Sequence, residues 1–151
     1  MPFQPQDANF QERVRASFAR QRVMSTLGVE IARLGPGEIE LAMPYDAAYS
    51  QQHGFVHAGV VATALDSACG YAAYSLMPAS ADVLTVEFKA NFLAPAKGRR
   101  FAFRARVVKP GRTITVCDAE AVAFGDGGDE RLIATMTATL MALFERKDVA
   151  P

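Results

Sequence analysis

Between Gln51 and Pro78 the chain reads QQHGFVHAGVVATALDSACGYAAYSLMP, and Asp66 is its one charged side chain. Burying an ionised carboxylate costs several kcal/mol unless it is paired or hydrogen-bonded. A folded chain rarely keeps a carboxylate among small and apolar residues without a reason, which makes Asp66 a candidate for chemistry. A structural reading remains open at this point: Asp66 equally fits a carboxylate that satisfies a backbone donor or an arginine in a packed helix. His57 precedes it by nine residues. At about 100° per residue that spacing is half a turn out of phase, so one helix cannot aim both side chains at one spot. Either His57 sits in the loop that enters the helix, or the site is built from two chains. Gly59, Ala62, Thr63, Cys69, Gly70 and Ala73 surround Asp66 on its face, small enough for a backbone or a slim ligand to approach.

The start of the same helix is a second element. The amides of Ala58, Gly59 and Val60 lack intrahelical acceptors and lie at the positive end of the helix dipole. Such a terminus can hold developing negative charge on a carbonyl oxygen, although many helices begin this way without catalysing anything. Other reactive side chains read as bland. Ser67 lacks the G-x-S-x-G elbow, Cys69 suits a small core position, and His53 suits a loop. Cys69 and Cys117 are far apart without a CxxC or a His-rich companion, so neither a disulfide framework nor a metal site is expected.

These residues need a scaffold. From His57 to Met77 the chain is Ala-rich and free of proline, which predicts a helix ended by Pro78. Its faces are nearly all apolar or small, so it must be covered on most sides. Upstream, Asp7 is placed to cap a helix carrying Phe10, Val14 and Phe18, and Gly28 suits the end of that segment. Val29–Leu34 and Glu38–Met43 read as a hairpin around Gly35-Pro36-Gly37. Val83–Leu93, Phe101–Lys109, Thr113–Phe124 and Leu132–Phe144 read as long strands joined by short turns, which favours antiparallel pairing. The expectation is α+β: about six antiparallel strands wrapped around one long helix. With 151 residues there is room for one domain. We divide it into an N-terminal helical segment (1–24), a main domain (25–145) and a tail (146–151).

Lys+Arg and Asp+Glu both total 16, so no global field favours nucleic acid or an anionic membrane. The N-terminal stretch lacks a signal-peptide layout. Asp66 and the Ala/Ser/Gly content make the uncharged run a poor membrane span. A cytoplasmic protein is the expectation.

The order Gln51-x-x-Gly54-x-x-His57-Ala58-Gly59-x6-Asp66 resembles the N-x-x-G-x-x-H-G-G-x6-D/E signature of hotdog-fold acyl-CoA thioesterases of the phenylacetate-pathway (PaaI-like) branch. The segment from Leu84 to Gly98, with its Pro-Ala-x-x-G turn, is similar to that family's strand after the helix. Lys109-Pro110-Gly111-Arg112-Thr113 is similar to its Gly-Arg turn. The resemblance spans roughly residues 25–144.

It implies hydrolysis of an acyl-CoA thioester to free acid and coenzyme A, with no cofactor beyond the substrate's own coenzyme A. It implies a homo-oligomer, a dimer or a dimer of dimers, whose site joins one subunit's helix N-terminus to the carboxylate of another. Carried over, Asp66 is the base or nucleophile, the Ala58 amide the oxyanion donor beside Gly59, and His57 a residue orienting this loop. Gln51 stands where the family has Asn, and either it or Gln52 or His53 takes that role. Thr85 matches a hydroxyl that helps hold the water or the carboxylate. Lys109, Gly111 and Arg112 are candidates for the coenzyme A phosphates, or ordinary surface. Ala58 departs from the family's first Gly, which an amide donor survives if φ is negative. Tyr71, Tyr74 and Phe88 fit either an acyl pocket or the core. An acyl-CoA sensor without catalysis and an acyl hydratase or dehydratase on the same fold are the competing readings.

Overall fold

The computed structural model describes residues 2–144, and the expected tail at 146–151 lies outside them. Two short helices, α1 (Phe10–Arg20) and α2 (Arg22–Leu27), lead into the hairpin β1 (Glu30–Gly35) and β2 (Glu38–Pro44). A single 3-10 turn, Ala47–Tyr49, precedes the long helix α3 (Ala58–Tyr74). Four strands follow: β3 (Ala81–Phe92), β4 (Arg100–Lys109), β5 (Ile114–Phe124) and β6 (Glu130–Phe144). They form one antiparallel sheet in the order β1-β2-β4-β5-β6-β3. This is the expected α+β hotdog arrangement, with α3 packed on the inner face of five of the six strands.

The small residues of α3 explain how closely the sheet wraps it. Ala64, Leu65, Ala68, Cys69 and Ala72 are fully buried against Leu41, Phe101, Phe103, Ala138 and Leu140. Each large side chain there contributes about 1.5–3 kcal/mol through burial. Cys69 and Cys117 are core residues too; burial pushes both thiols up, that of Cys117 to about 12.

Local details differ from the sequence-based expectation. Asp7 is not the cap of α1. Asn9 holds that position without a side-chain bond, while Asp7 accepts from the Asn9 amide (2.9 Å) and from Arg13 Nε (2.7 Å). The Asn9 amide and the Arg13 guanidinium occupy the carboxylate. At the other end, α3 stops before Pro78. Ser75 Oγ donates back to the Ala72 carbonyl (2.7 Å), and Arg13 Nη2 takes the carbonyls of Tyr74 and Met77 (3.2 and 2.7 Å). Gly28, at φ 71°, ends α2 as expected.

The edge strand β3 carries a bulge. Thr85 pairs with Leu140, but Glu87 pairs with Thr139, leaving Val86 as the extra residue. The extra residue switches the alternation, so Thr85 and Phe88 both point to the inner face. Leu84, Val86, Phe88 and Phe92 on this edge are 47, 54, 44 and 51% exposed. An exposed apolar edge of this length is the kind of surface through which chains can associate.

Candidate active site

The first turn of α3 opens into a cavity of about 440 Å³. His57 is the N-cap, and its Nδ1 accepts from the Gly59 amide (2.8 Å). That bond places the proton of the neutral imidazole on Nε2. The His57 carbonyl takes the amides of Val60 and Val61 (2.9 and 3.2 Å). Of the three N-terminal amides considered from sequence, Gly59 and Val60 are therefore occupied. Ala58 N–H donates to no group among the described residues, and Ala58 lines the cavity. Ala58 lies inside the helix, with the negative φ that its side chain requires. The walls around it are mostly apolar: Phe55, Val56, Phe92 and Ile133.

Gln51 and Gln52 line the same cavity. Gln51 Oε1 accepts from the amides of His53 (2.6 Å) and Phe55 (3.3 Å), within a turn that Gly54 makes at φ 84°. With its oxygen occupied, Gln51 has only its NH2 donors to offer. His53 lies in the same turn, exposed.

Asp66 lies elsewhere. It is half-buried in a separate cavity of about 490 Å³, where Thr85 Oγ1 donates to its Oδ1 (2.7 Å). No cation pairs with it among the described residues. The arginine-partner reading thus drops away. Eight residues separate Ala58 from Asp66, a rise of about 12 Å along the helix. The two groups line different cavities.

Residues 53–128 match the thioesterase superfamily. The chain belongs to that family. The matched span holds His57, Ala58, Asp66 and Thr85, but not Gln51. A thioesterase family protein from Silicibacter pomeroyi is 69% identical, with a TM-score of 0.88 over 89% of this chain and 98% of that one. A Halobacterium salinarum protein, whose name gives esterase as its inferred activity, is 34% identical over 71% of this chain and 74% of its own length. The PaaI protein of the E. coli phenylacetic acid degradation operon, 19% identical, has the same fold, with a TM-score of 0.80 over 91% of this chain and 96% of that one. This thioesterase is a thioester hydrolase.

The thioesterase keeps its Lys109–Arg112 turn far from the start of α3. Gly111 and Arg112 line a groove with Gln6, Pro78 and Phe144, beyond the C-terminal end of the helix. Gly111 is needed there, since a Cβ would lie 2.1 Å from the Ile114 carbonyl oxygen. Ser17, Gln21, Ser67 and Tyr71 also surround the Asp66 cavity. Of these, only Tyr71 is a pocket candidate from sequence. Ser17 lies on α1 and Gln21 at the α1–α2 junction, which local pattern does not connect to Asp66. Among the described residues no three His, Cys, Asp or Glu side chains are placed to hold a metal ion, and no helix is long and apolar enough to cross a membrane.

Proposed function

We propose that this thioesterase hydrolyses acyl-CoA thioesters at a site shared by two subunits. The observation that carries the reading is the separation of the two half-sites: a free amide in one cavity, a carboxylate in another. A second copy placed antiparallel along the exposed edge of β3 brings the first turn of one α3 toward the other copy's Asp66. The apolar side chains of that edge are what such a contact would cover. In the proposed reaction the thioester carbonyl oxygen accepts from Ala58 N–H. Asp66, steadied by Thr85, takes a proton from water as its oxygen attacks the carbonyl carbon. The C–S bond then breaks, and the coenzyme A sulfur leaves with a proton. Gln51 Nε2 and His57 Nε2 are donors available to the carbonyl or the water.

Thiol release from a panel of acyl-CoAs measures the activity, and a mixed dimer tests the sharing. Asp66→Asn and Ala58→Pro chains, each nearly inactive alone, are co-expressed with different tags and purified as the heterodimer. One of its two sites carries both lesions and the other neither, so about half the wild-type activity per dimer is expected. A heterodimer as inactive as its parents, or a monomeric wild-type enzyme with full activity, refutes the shared site.

A further inference from the structure

The Asp66 cavity is walled on one side by the junction between α1 and α2. Gln21 breaks the helix there (φ −79°, ψ 92°), and its Oε1 accepts from Ser67 Oγ (3.0 Å). One turn earlier, Ser17 Oγ and Tyr71 Oη share a hydrogen bond (3.2 Å). In a pair of hydroxyls one O–H is used between them and the other remains free to donate. Burial raises the pKa of the Tyr71 phenol, which keeps its proton in place. Arg20 lines the same wall, and its Nη1 makes only a long contact to the Ala16 carbonyl of its own helix (3.4 Å). This wall therefore presents donors. The acids facing the cavity, Asp66 and Asp82, belong to α3 and β3. Tyr71 follows Asp66 by five residues, an axial rise of about 7.5 Å and about 140° round the helix, and both line this cavity.

We propose that Ser17, Tyr71 and Arg20 set the acyl specificity, selecting compact acyl groups that end in an oxygen acceptor over apolar chains of equal length. This rests on the reading above, in which the acyl group enters the cavity holding Asp66. A site built to hydrogen-bond a substrate oxygen discriminates against the analogue lacking it, because its own donors are then left unpaired.

The probes are hexanoyl-CoA and 6-hydroxyhexanoyl-CoA, compared by kcat/KM in the wild type, in Arg20→Met and in a Ser17→Ala/Tyr71→Phe double variant. Phenylalanine keeps the edge contacts of the Tyr71 ring with Phe18 and Tyr74, at 5.6 and 6.1 Å between centroids, so the fold is retained. The wild type is expected to favour the hydroxylated thioester by about tenfold, the order of one hydrogen bond. The double variant should lose most of that ratio and Arg20→Met part of it. A wild-type ratio near one, or variants that slow both thioesters equally, overturns the specificity assignment. Those results leave the proposed function intact if hydrolysis still requires Asp66. Hydrolysis that survives Asp66→Asn strikes the underlying reading instead.

Discussion

The two ends of α3 are built differently. At its start the polar groups are backbone: the side chain of His57 is used in the cap, and the Ala58 amide is left over among apolar walls. From its midpoint, Asp66, toward its C-terminal end the polar groups are side chains: Asp66, Thr85, Ser67, Gln21, Ser17 and Tyr71, linked in pairs. A fixed amide in apolar surroundings suits a developing charge, because it needs no reorganisation and is weakly screened. In the proposed reaction the carboxylate exchanges a proton, and here a hydroxyl holds it in place. One helix carries both devices, about 12 Å apart. Under the proposed reading, each chain offers two half-sites that a second copy completes.

The largest effect is expected at the polar end. Asp66→Asn keeps the shape and can still accept from Thr85, but it cannot take a proton at neutral pH. Its kcat should fall by about 10²–10⁴, the usual contribution of a general base, with the melting temperature unchanged. Near wild-type turnover in this variant sinks the role given to Asp66. The corresponding change at the other end is Ala58→Pro. Proline is well tolerated at the first helical position, and His57 already has the extended backbone (φ −60°, ψ 137°) that precedes it comfortably. Only the N–H is lost, and kcat should fall by about 10²–10³. If Ala58→Pro is fully active while Asp66→Asn is dead, the two ends are not partners in one reaction.

A smaller effect concerns stability and again separates the ends. Arg13 supplies Nη2 to two carbonyls at the C-terminal end of α3, and its guanidinium lies 4.2 Å from the centre of the Tyr74 ring. Arg13→Ala should cost about 1.5–3 kcal/mol in urea unfolding, the range for hydrogen bonds to a charged group. The Tyr74 carbonyl it leaves behind still accepts from the Met77 amide (3.1 Å), whereas the Met77 carbonyl has no other donor among the described residues. A cost near zero would mean that water replaces the guanidinium there, and that α1 is not pinned to α3.

How far these ends can be read without the fold follows from their sequence separation. The start of α3 is legible because it is local: a proline-free, small-residue run begins at a His, with Gly two residues later. The half-turn offset between His57 and Asp66 is likewise pure helix arithmetic, and so is the need for a second site element. The strands are legible by alternation and turns. The surroundings of Asp66 are not, because Ser67 meets Gln21 across 46 residues and Tyr71 meets Ser17 across 54. The bulge at Val86 hides in a run whose alternation reads straight through it. Asp7 has the right type and place for a cap, and Arg13, six residues on, outcompetes the helix for it. Nor does spacing say which end of α3 the Lys109–Arg112 turn adjoins, since that depends on strand order.

The mildest test uses pH at the polar end. The Asn9 amide, and then Arg13, hold the Asp7 carboxyl below its ordinary value. Glu130 is lowered by its hydrogen bonds to Arg104 on the outer face of the sheet. Both pKa values are depressed by folding, so their stabilisation is complete above the unfolded carboxylate range, about 3.9–4.3. It is lost as pH falls through the folded values below that range. The urea midpoint of the wild type should therefore drop on going from pH 6 to pH 3. Arg13→Ala removes one of the two supports of the Asp7 charge but leaves Glu130 alone, so its drop should be smaller and the gap between the two proteins should narrow in acid. If the gap is the same at both pH values, the Asp7–Arg13 pair adds nothing to stability. Arg13 would then act on α3 through the Tyr74 and Met77 carbonyls alone.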